Sequence, residues 1–221
     1  MYDRFNRQIR YLRVSVTDRC NLRCTYCMPE EGIKLISHSD VLSYEEFLEV
    51  IKAAVSLDID KVRITGGEPL VRKGIVSFIS RVAQIAGIRD LGLTTNGVLL
   101  EEFARPLADA GLHRINISLD TMDPERFREI SRGGDLARVI RGIEAARNAG
   151  LEPVKINCVI RTSTEEADAM AIREFCSRNG YEARFIHQMN LEDGCFTIVE
   201  NGHGGDCRNC DRLLVAEARK P

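Results

Sequence analysis

The 221-residue chain has no tryptophan, no window of 18 uninterrupted apolar residues, no Gly/Ser/Pro-rich linker and no block of like charge. The missing apolar run excludes a membrane-spanning helix, and the first residues, MYDRFNRQIRYLRVSV, lack the apolar segment of an export signal. The expected location is therefore the cytoplasm. The missing linkers and charge blocks exclude a long disordered region, and at this length one domain is the default. With 31 basic against 33 acidic residues and a net charge of -2, there is no general basic field of the kind that gathers a nucleic-acid polymer. An anionic ligand would have to be met by individually placed cations. What is present suits a soluble globular protein: 44% hydrophobic and 29% charged residues, enough to bury a core.

Eight cysteines in a reducing compartment are poorly explained as a disulfide framework. Cys158 and Cys176 stand alone in strand and helix segments and read as small buried residues. Three others, Cys20, Cys24 and Cys27, share the stretch DRCNLRCTYCMPEEG in C-x3-C-x2-C spacing. A closed structural zinc site wants four ligands, usually as two pairs. Here there are three on one tight loop, and an iron–sulfur cubane held by three thiolates keeps one iron open for chemistry. A zinc loop borrowing a distant ligand such as His38 is the alternative reading of the spacing.

Along the chain, short β-branched runs alternate with amphipathic stretches. Strands are expected at 11–17, 61–65, 91–95, 114–119, 154–160 and 182–187, and helices near 44–57, 74–86, 99–110, 124–131, 136–149 and 165–179. Ser43 followed by Glu46 predicts a capping box, and Thr164 before Glu165 and Glu166 predicts a helix start. Gly87, Gly111, Gly150 and Gly180 each follow a helical pattern as stop signals. Six βα units with right-handed crossovers make a parallel sheet, either a doubly wound open sheet or a complete or partial barrel. In both, ligands gather at the carboxyl ends of the strands, where TDRC, TGGEP, TTNG and SLD fall. The rhythm stops at 188. Residues 1–188 form the expected core domain, and 189–221 a short, Gly-rich appendix with Cys195, Cys207 and Cys210 that is a candidate metal site.

The cations are more informative than the turns. Arg13, Lys61, Arg63, Lys155 and Arg184 all lie in expected strands, where a sheet covered on both faces would be apolar. One such cation is best read as pairing with a neighbouring carboxylate. Five point to a shared anionic ligand, because a charge drawn into a covered sheet needs a partner. TGGEP by itself reads as a turn, but its two glycines would let a ligand approach the backbone, and Glu68 adds an acceptor.

The triplet spacing is the signature of the radical S-adenosylmethionine (SAM) superfamily. YLRVSVTDRCNLRCTYCMPEEG, KVRITGGEPLVRK, LTTNGVLL, RINISLDTMDPERF and PVKINCVI together closely resemble its GTP 3',8-cyclase family, over about residues 3–189. The resemblance implies a partial (β/α)6 TIM-like barrel with a 4Fe–4S cluster on Cys20, Cys24 and Cys27 whose open iron takes SAM. It implies reductive cleavage of SAM to a 5'-deoxyadenosyl radical, which abstracts hydrogen from GTP or a related nucleotide, in molybdenum cofactor biosynthesis. By the same resemblance Tyr26, Gly66, Gly67, Glu68, Ser118 and Met189 face SAM. Arg13, Lys61, Arg63, Thr94, Lys155, Arg184 and Arg212 then face the nucleotide, and flavodoxin or ferredoxin serves as electron donor. CRNCDRL echoes a second cluster site, giving Cys195, Cys207 and Cys210 as candidate ligands, against a zinc fragment or free thiols. It departs from the family in that no cysteine follows Cys210 and Leu214 stands where a second arginine is usual. A radical SAM peptide maturase and a truncated, non-catalytic paralogue are the competing readings.

Overall fold

The computed structural model describes residues 2–37, 39–188 and 210–216. Seven parallel strands form one sheet in the order β6-β5-β4-β3-β2-β1-β7. They are β1 (Tyr11–Ser15), β2 (Lys61–Thr65), β3 (Asp90–Thr95), β4 (Arg114–Ser118), β5 (Val154–Ile160), β6 (Glu182–His187) and β7 (Arg212–Val215). The helices are α1 (Tyr44–Ser56), α2 (Ile75–Ala83), α3 (Leu100–Asp109), α4 (Pro124–Ser131), α5 (Leu136–Asn148) and α6 (Ala167–Asn179).

The strand order decides between the two expected architectures. A doubly wound sheet reverses direction at a switch point and carries helices on both faces. Here β1 to β6 follow one another without reversal, so right-handed crossovers put every helix on the same side. The result is a curled partial TIM barrel, as expected, with a helix-covered convex face and an open concave face.

Alternation along each strand matches that division. Leu12, Val14, Val62, Ile64, Leu91, Leu93, Ile115, Ile117, Ile156 and Cys158 point to the helices and are at most 0% exposed. Burying each such aliphatic side chain contributes about 1.5–3 kcal/mol. Local signals support the layer. Ser43 Oγ accepts from Glu46 N–H (3.2 Å) and Glu46 Oε2 from Ser43 N–H (2.7 Å), the capping box read from the sequence. Gly142 lets α5 close on the loop before α3, since a Cβ there would lie 2.5 Å from the Gly97 carbonyl oxygen. Cys158 and Cys176 are core residues, as expected.

Two expectations are corrected. Helix α6 starts at Ala167 rather than 165, and Thr164 is not its cap. Instead the Glu166 carboxylate gathers the N–H groups of Arg161 (2.8 Å), Thr162 (2.6 Å) and Ser163 (3.1 Å), which holds the preceding residues in a tight non-helical loop. The second concerns the tail. Residues Arg212–Val215 form β7, which pairs in parallel with β1, Tyr11 opposite Arg212 and Arg13 opposite Leu214. A four-residue run carrying arginine and leucine has no alternation to announce a strand; pairing to the edge of β1 makes it one.

Candidate functional site

The thiolate loop leaves the carboxyl end of β1 and crosses the end of β2. Gly67 N–H donates to Thr17 O (2.6 Å) and Glu68 N–H to Arg19 O (2.8 Å). A Cβ on Gly66 would sit 2.6 Å from Thr17 O, and one on Gly67 2.4 Å from Arg19 O. The close approach permitted by these two glycines is thus made by the chain's own TDR segment. The N–H groups of Gly67 and Glu68 are thereby taken within the chain.

Glu68 is also engaged internally. It is fully buried, its Oε1 accepting from Leu70 N–H (3.0 Å) and Thr95 Oγ1–H (2.8 Å), its Oε2 from Asn96 N–H (2.7 Å). The carboxylate braces the ends of β2 and β3 and is enclosed by the chain's own donors. Burial pushes its pKa up to about 7 despite those three donors.

Cys20 and Cys24 are half-buried and Cys27 is exposed, all as free thiols. Cys27 and Met28 N–H both donate to Cys24 O (3.0 Å each), making one tight turn. Cys20 Sγ accepts from Leu22 N–H (3.4 Å) and Asn96 Nδ2–H (3.7 Å). Burial first, and then neighbouring thiols and Asp120, push Cys24 up to about 12 and Cys27 up to about 11; Cys20 is raised mainly by burial. Three mutually repelling, partly desolvated thiols ionise together only beside a strong positive charge, which a metal centre provides. Among the described residues no three His, Cys, Asp or Glu side chains converge on a point that would hold one ion. Four ligands about 2.3 Å from a zinc must lie close together. A cluster presents a separate iron to each thiolate, so the donor set of this loop fits a cluster better than a single ion. His38, the alternative zinc ligand, lies outside the described residues, as do Met189, Cys195 and Cys207. Cys210 is half-buried just before β7.

Beside the loop, Tyr26 Oη–H donates to Asp120 Oδ2 (2.6 Å), and Asp120 Oδ1 accepts from Val159 N–H (2.8 Å). The loop is thereby tied to the ends of β4 and β5. Burial raises both groups, Tyr26 further through the Asp120 charge. A cleft opens here between Tyr26, Asp120, Val159, Glu166, Asp168 and Gln188. Ser118, half-buried, ends the adjacent strand.

The concave face carries the expected cations in rows. Arg13, Arg63, Gly92 and Arg114 stand in register across β1 to β4; above them come Thr94, Asn116 and Lys155, then Ser118, Asn157 and Arg184. Arg114, which the sequence reading missed, reaches across Gly92 to Asp90 with two bonds (2.6 and 2.7 Å). Burial alone would raise Asp90, but Arg114 holds its carboxyl below the usual range. Lys155 pairs with Glu182, so its charge is already met. Lys61 is exposed at the amino end of β2, away from the motif loops. Arg13, Arg63, Arg184 and Arg212, by contrast, form no ion pair among the described residues, and Nε of Arg13 and of Arg63 and Oγ1 of Thr94 are buried without a hydrogen-bond partner. Burial, with Arg114, Arg13 and Arg184 nearby, brings Arg63 down to about 10. Arg63 and Arg212 both stack on Tyr11, at 5.4 and 5.7 Å from its ring centre. Crowded like charges with buried, unpaired donors are what a polyanion would relieve.

Tyr11, Asn96, Arg114 and Asp120 were not singled out from sequence. TTNG contains Asn96 and SLD contains Asp120; no motif marked Tyr11 or Arg114.

The model of the radical SAM superfamily matches residues 14–176. GTP 3',8-cyclase of Thermodesulfovibrio yellowstonii is 54% identical over 86% of this chain and 59% of its own length. That of Heliobacterium modesticaldum is 53% identical over 88% and 59%. The chain thus spans about three-fifths of the length of these relatives. Among solved structures, methylornithine synthase aligns with a TM-score of 0.67 at 15% identity, over 83% of this chain and 54% of that one. Streptococcus suis SuiB bound to S-adenosylmethionine aligns with a TM-score of 0.66 at 17% identity, over 84% and 40%.

Proposed function

The chain belongs to the radical SAM superfamily, whose members use a 4Fe–4S cluster and SAM, and from that premise we propose that it is a GTP 3',8-cyclase-like lyase acting on a nucleoside triphosphate. The observation that carries the nucleotide assignment is the concave-face arginine group, with buried donors lacking partners. Identity above 50% to two cyclases supports the same reading.

In this proposal Cys20, Cys24 and Cys27 hold the cluster, which with SAM supplies the electron and the radical that begins hydrogen abstraction from the nucleotide ribose. The Gly66 and Gly67 carbonyls are the acceptors for the SAM amino group. Tyr26, anchored by Asp120, and Ser118 border the same site, and Met189 belongs to it by resemblance. Arg13, Arg63, Arg184 and Arg212 bind the phosphates, with Thr94 beside them. Lys155 joins only by exchanging Glu182 for phosphate, and Lys61 contributes long-range charge. The enclosing sheet orients the nucleotide and limits water around the radical. Cys207 and Cys210, with Cys195, are proposed as the auxiliary metal ligands. Residues 1–188 are the catalytic core, and the reductant is a low-potential protein such as flavodoxin or ferredoxin. No described helix is long and apolar enough to cross a membrane.

Isothermal titration of anaerobically reconstituted protein with GTP tests the assignment. Binding that disappears in Arg63→Ala with Arg184→Ala is the expected result; no binding by the unaltered chain removes the nucleotide reading. The peptide maturase reading gains only fold-level support from SuiB, since the arginine group has no use for a neutral peptide.

A further inference from the structure

We propose that Arg132 is a positioning residue that closes the thiolate loop around its cluster. The inference rests on the cluster reading above and goes beyond it to a side chain outside the three cysteines.

The local sequence SRGGD ends α4 in an unusual way. Helices commonly terminate on a left-handed glycine. Here the left-handed residue is Arg132, with φ 52°, although two glycines follow directly. A residue with a Cβ takes that conformation at a cost, and the side chain it presents has a use. The nitrogen Nη1 of Arg132 lies 2.8 Å from Met28 O, 3.1 Å from Arg23 O and 3.3 Å from Pro29 O. Arg23 immediately precedes Cys24, and Met28 immediately follows Cys27. One guanidinium therefore bridges both ends of the turn carrying two of the three thiols.

The backbone of α4 acts in the same direction. Its last carbonyls, which a helix end leaves without internal partners, accept from the loop: Ile130 O from Thr25 N–H (2.9 Å) and Ser131 O from Arg23 N–H (3.2 Å). The helix end is itself fixed. Ser131 is buried, its Oγ–H donating to Phe127 O (2.5 Å) and accepting from Gly134 N–H (2.9 Å). A Cβ on Gly134 would lie 2.5 Å from Ser131 Oγ. The loop is thus fastened on one side by β2 through Gly67 and Glu68, and on the other by α4 through Arg132.

Lysine does not replace this residue. All three carbonyls are met by the one nitrogen Nη1, which stands one bond further from Cα than a lysine ammonium would, so the shorter side chain stops short of them. The outer face of Arg132 is exposed, so its removal should leave the metal-free fold intact.

The test reconstitutes the cluster anaerobically in the unaltered chain, Arg132→Ala, Arg132→Lys and Arg128→Ala, and follows iron loss to a chelator alongside thermal unfolding of the metal-free proteins. Arg128 lies on the same helix and has no side-chain bond to the loop. We expect iron loss about tenfold faster in Arg132→Ala, about 1.4 kcal/mol in the barrier. Arg132→Lys should be little better, Arg128→Ala unchanged, and all metal-free unfolding temperatures alike. Iron loss from Arg132→Ala at the unaltered rate would overturn the inference and leave the cluster reading intact. Full rescue by lysine would overturn it in favour of charge alone. An unaltered chain that takes up no iron would instead remove the cluster reading itself.

Discussion

The two faces of one sheet follow opposite rules. On the convex face alternate residues of β1 to β5 are apolar, fully buried and satisfied by packing alone. On the concave face the intervening residues include Arg13, Arg63, Arg114, Lys155 and Arg184, and among the described residues only Asp90 and Glu182 answer them as ion-pair partners. The first face is finished within the chain; the second is not. A fold stores such electrostatic incompleteness only where something else supports it, and here the convex layer provides that support. Function is concentrated where the chain leaves its own groups without partners.

Three measurements would break or sharpen that contrast. The largest effect is expected at the loop joining the faces. The unaltered chain should take up about four irons for one cluster, and Cys20→Ala, Cys24→Ala and Cys27→Ala combined should abolish SAM cleavage and this uptake. Cleavage surviving in the triple variant would sink the assignment. Next comes the convex face. Ile64→Ala removes a fully buried side chain and should lower stability by about 2–5 kcal/mol by denaturant titration, with GTP affinity of the folded fraction unchanged. Its neighbour in sequence should behave in the opposite manner. Arg63→Ala should weaken GTP binding about a hundredfold, or about 2.8 kcal/mol, without lowering the thermal stability of the ligand-free chain, because it relieves crowding by Arg13, Arg114 and Arg184. If Ile64→Ala and Arg63→Ala gave the same pattern, the division between faces would be wrong.

Much of this was legible in the sequence, for identifiable reasons. The helix-backed strands declare themselves by β-branched alternation, and 61–65, 154–160 and 182–187 match the observed strands end for end. Charges inside strands revealed the concave face, since they conflict with a covered sheet. What stayed hidden depends on tertiary pairing. β7 exists only because β1 offers an edge. Glu68 read as an acceptor open to a ligand from its place in a glycine turn, yet two of its three donors are Thr95 at the end of β3 and Asn96 just after it, 27 and 28 residues away. Likewise Arg132 reads as an ordinary surface arginine until the loop about a hundred residues earlier is folded against it.

The smallest effect expected is at Glu68, between the two faces. An ordinary glutamate has a pKa near 4.5, and burial raises that of Glu68 to about 7. The folded state therefore binds this proton more tightly than the unfolded chain. The corresponding stability is fully present below pH about 4.5 and is lost as pH rises through about 7. From this residue, denaturant unfolding should show a fall on the order of 2 kcal/mol between pH 5 and pH 8. Glu68→Gln keeps the acceptor for Thr95 or Asn96 but cannot titrate, so its profile should be flatter over that window. It should also be less stable than the unaltered chain at pH 5, because an amide nitrogen replaces one accepting oxygen opposite an N–H or O–H donor. An unchanged pH slope in Glu68→Gln would mean that the carboxylate stays ionised throughout, held by its three donors against burial. Glu68 would then resemble the concave-face arginines, a buried charge maintained by its surroundings, rather than the neutral convex layer it borders.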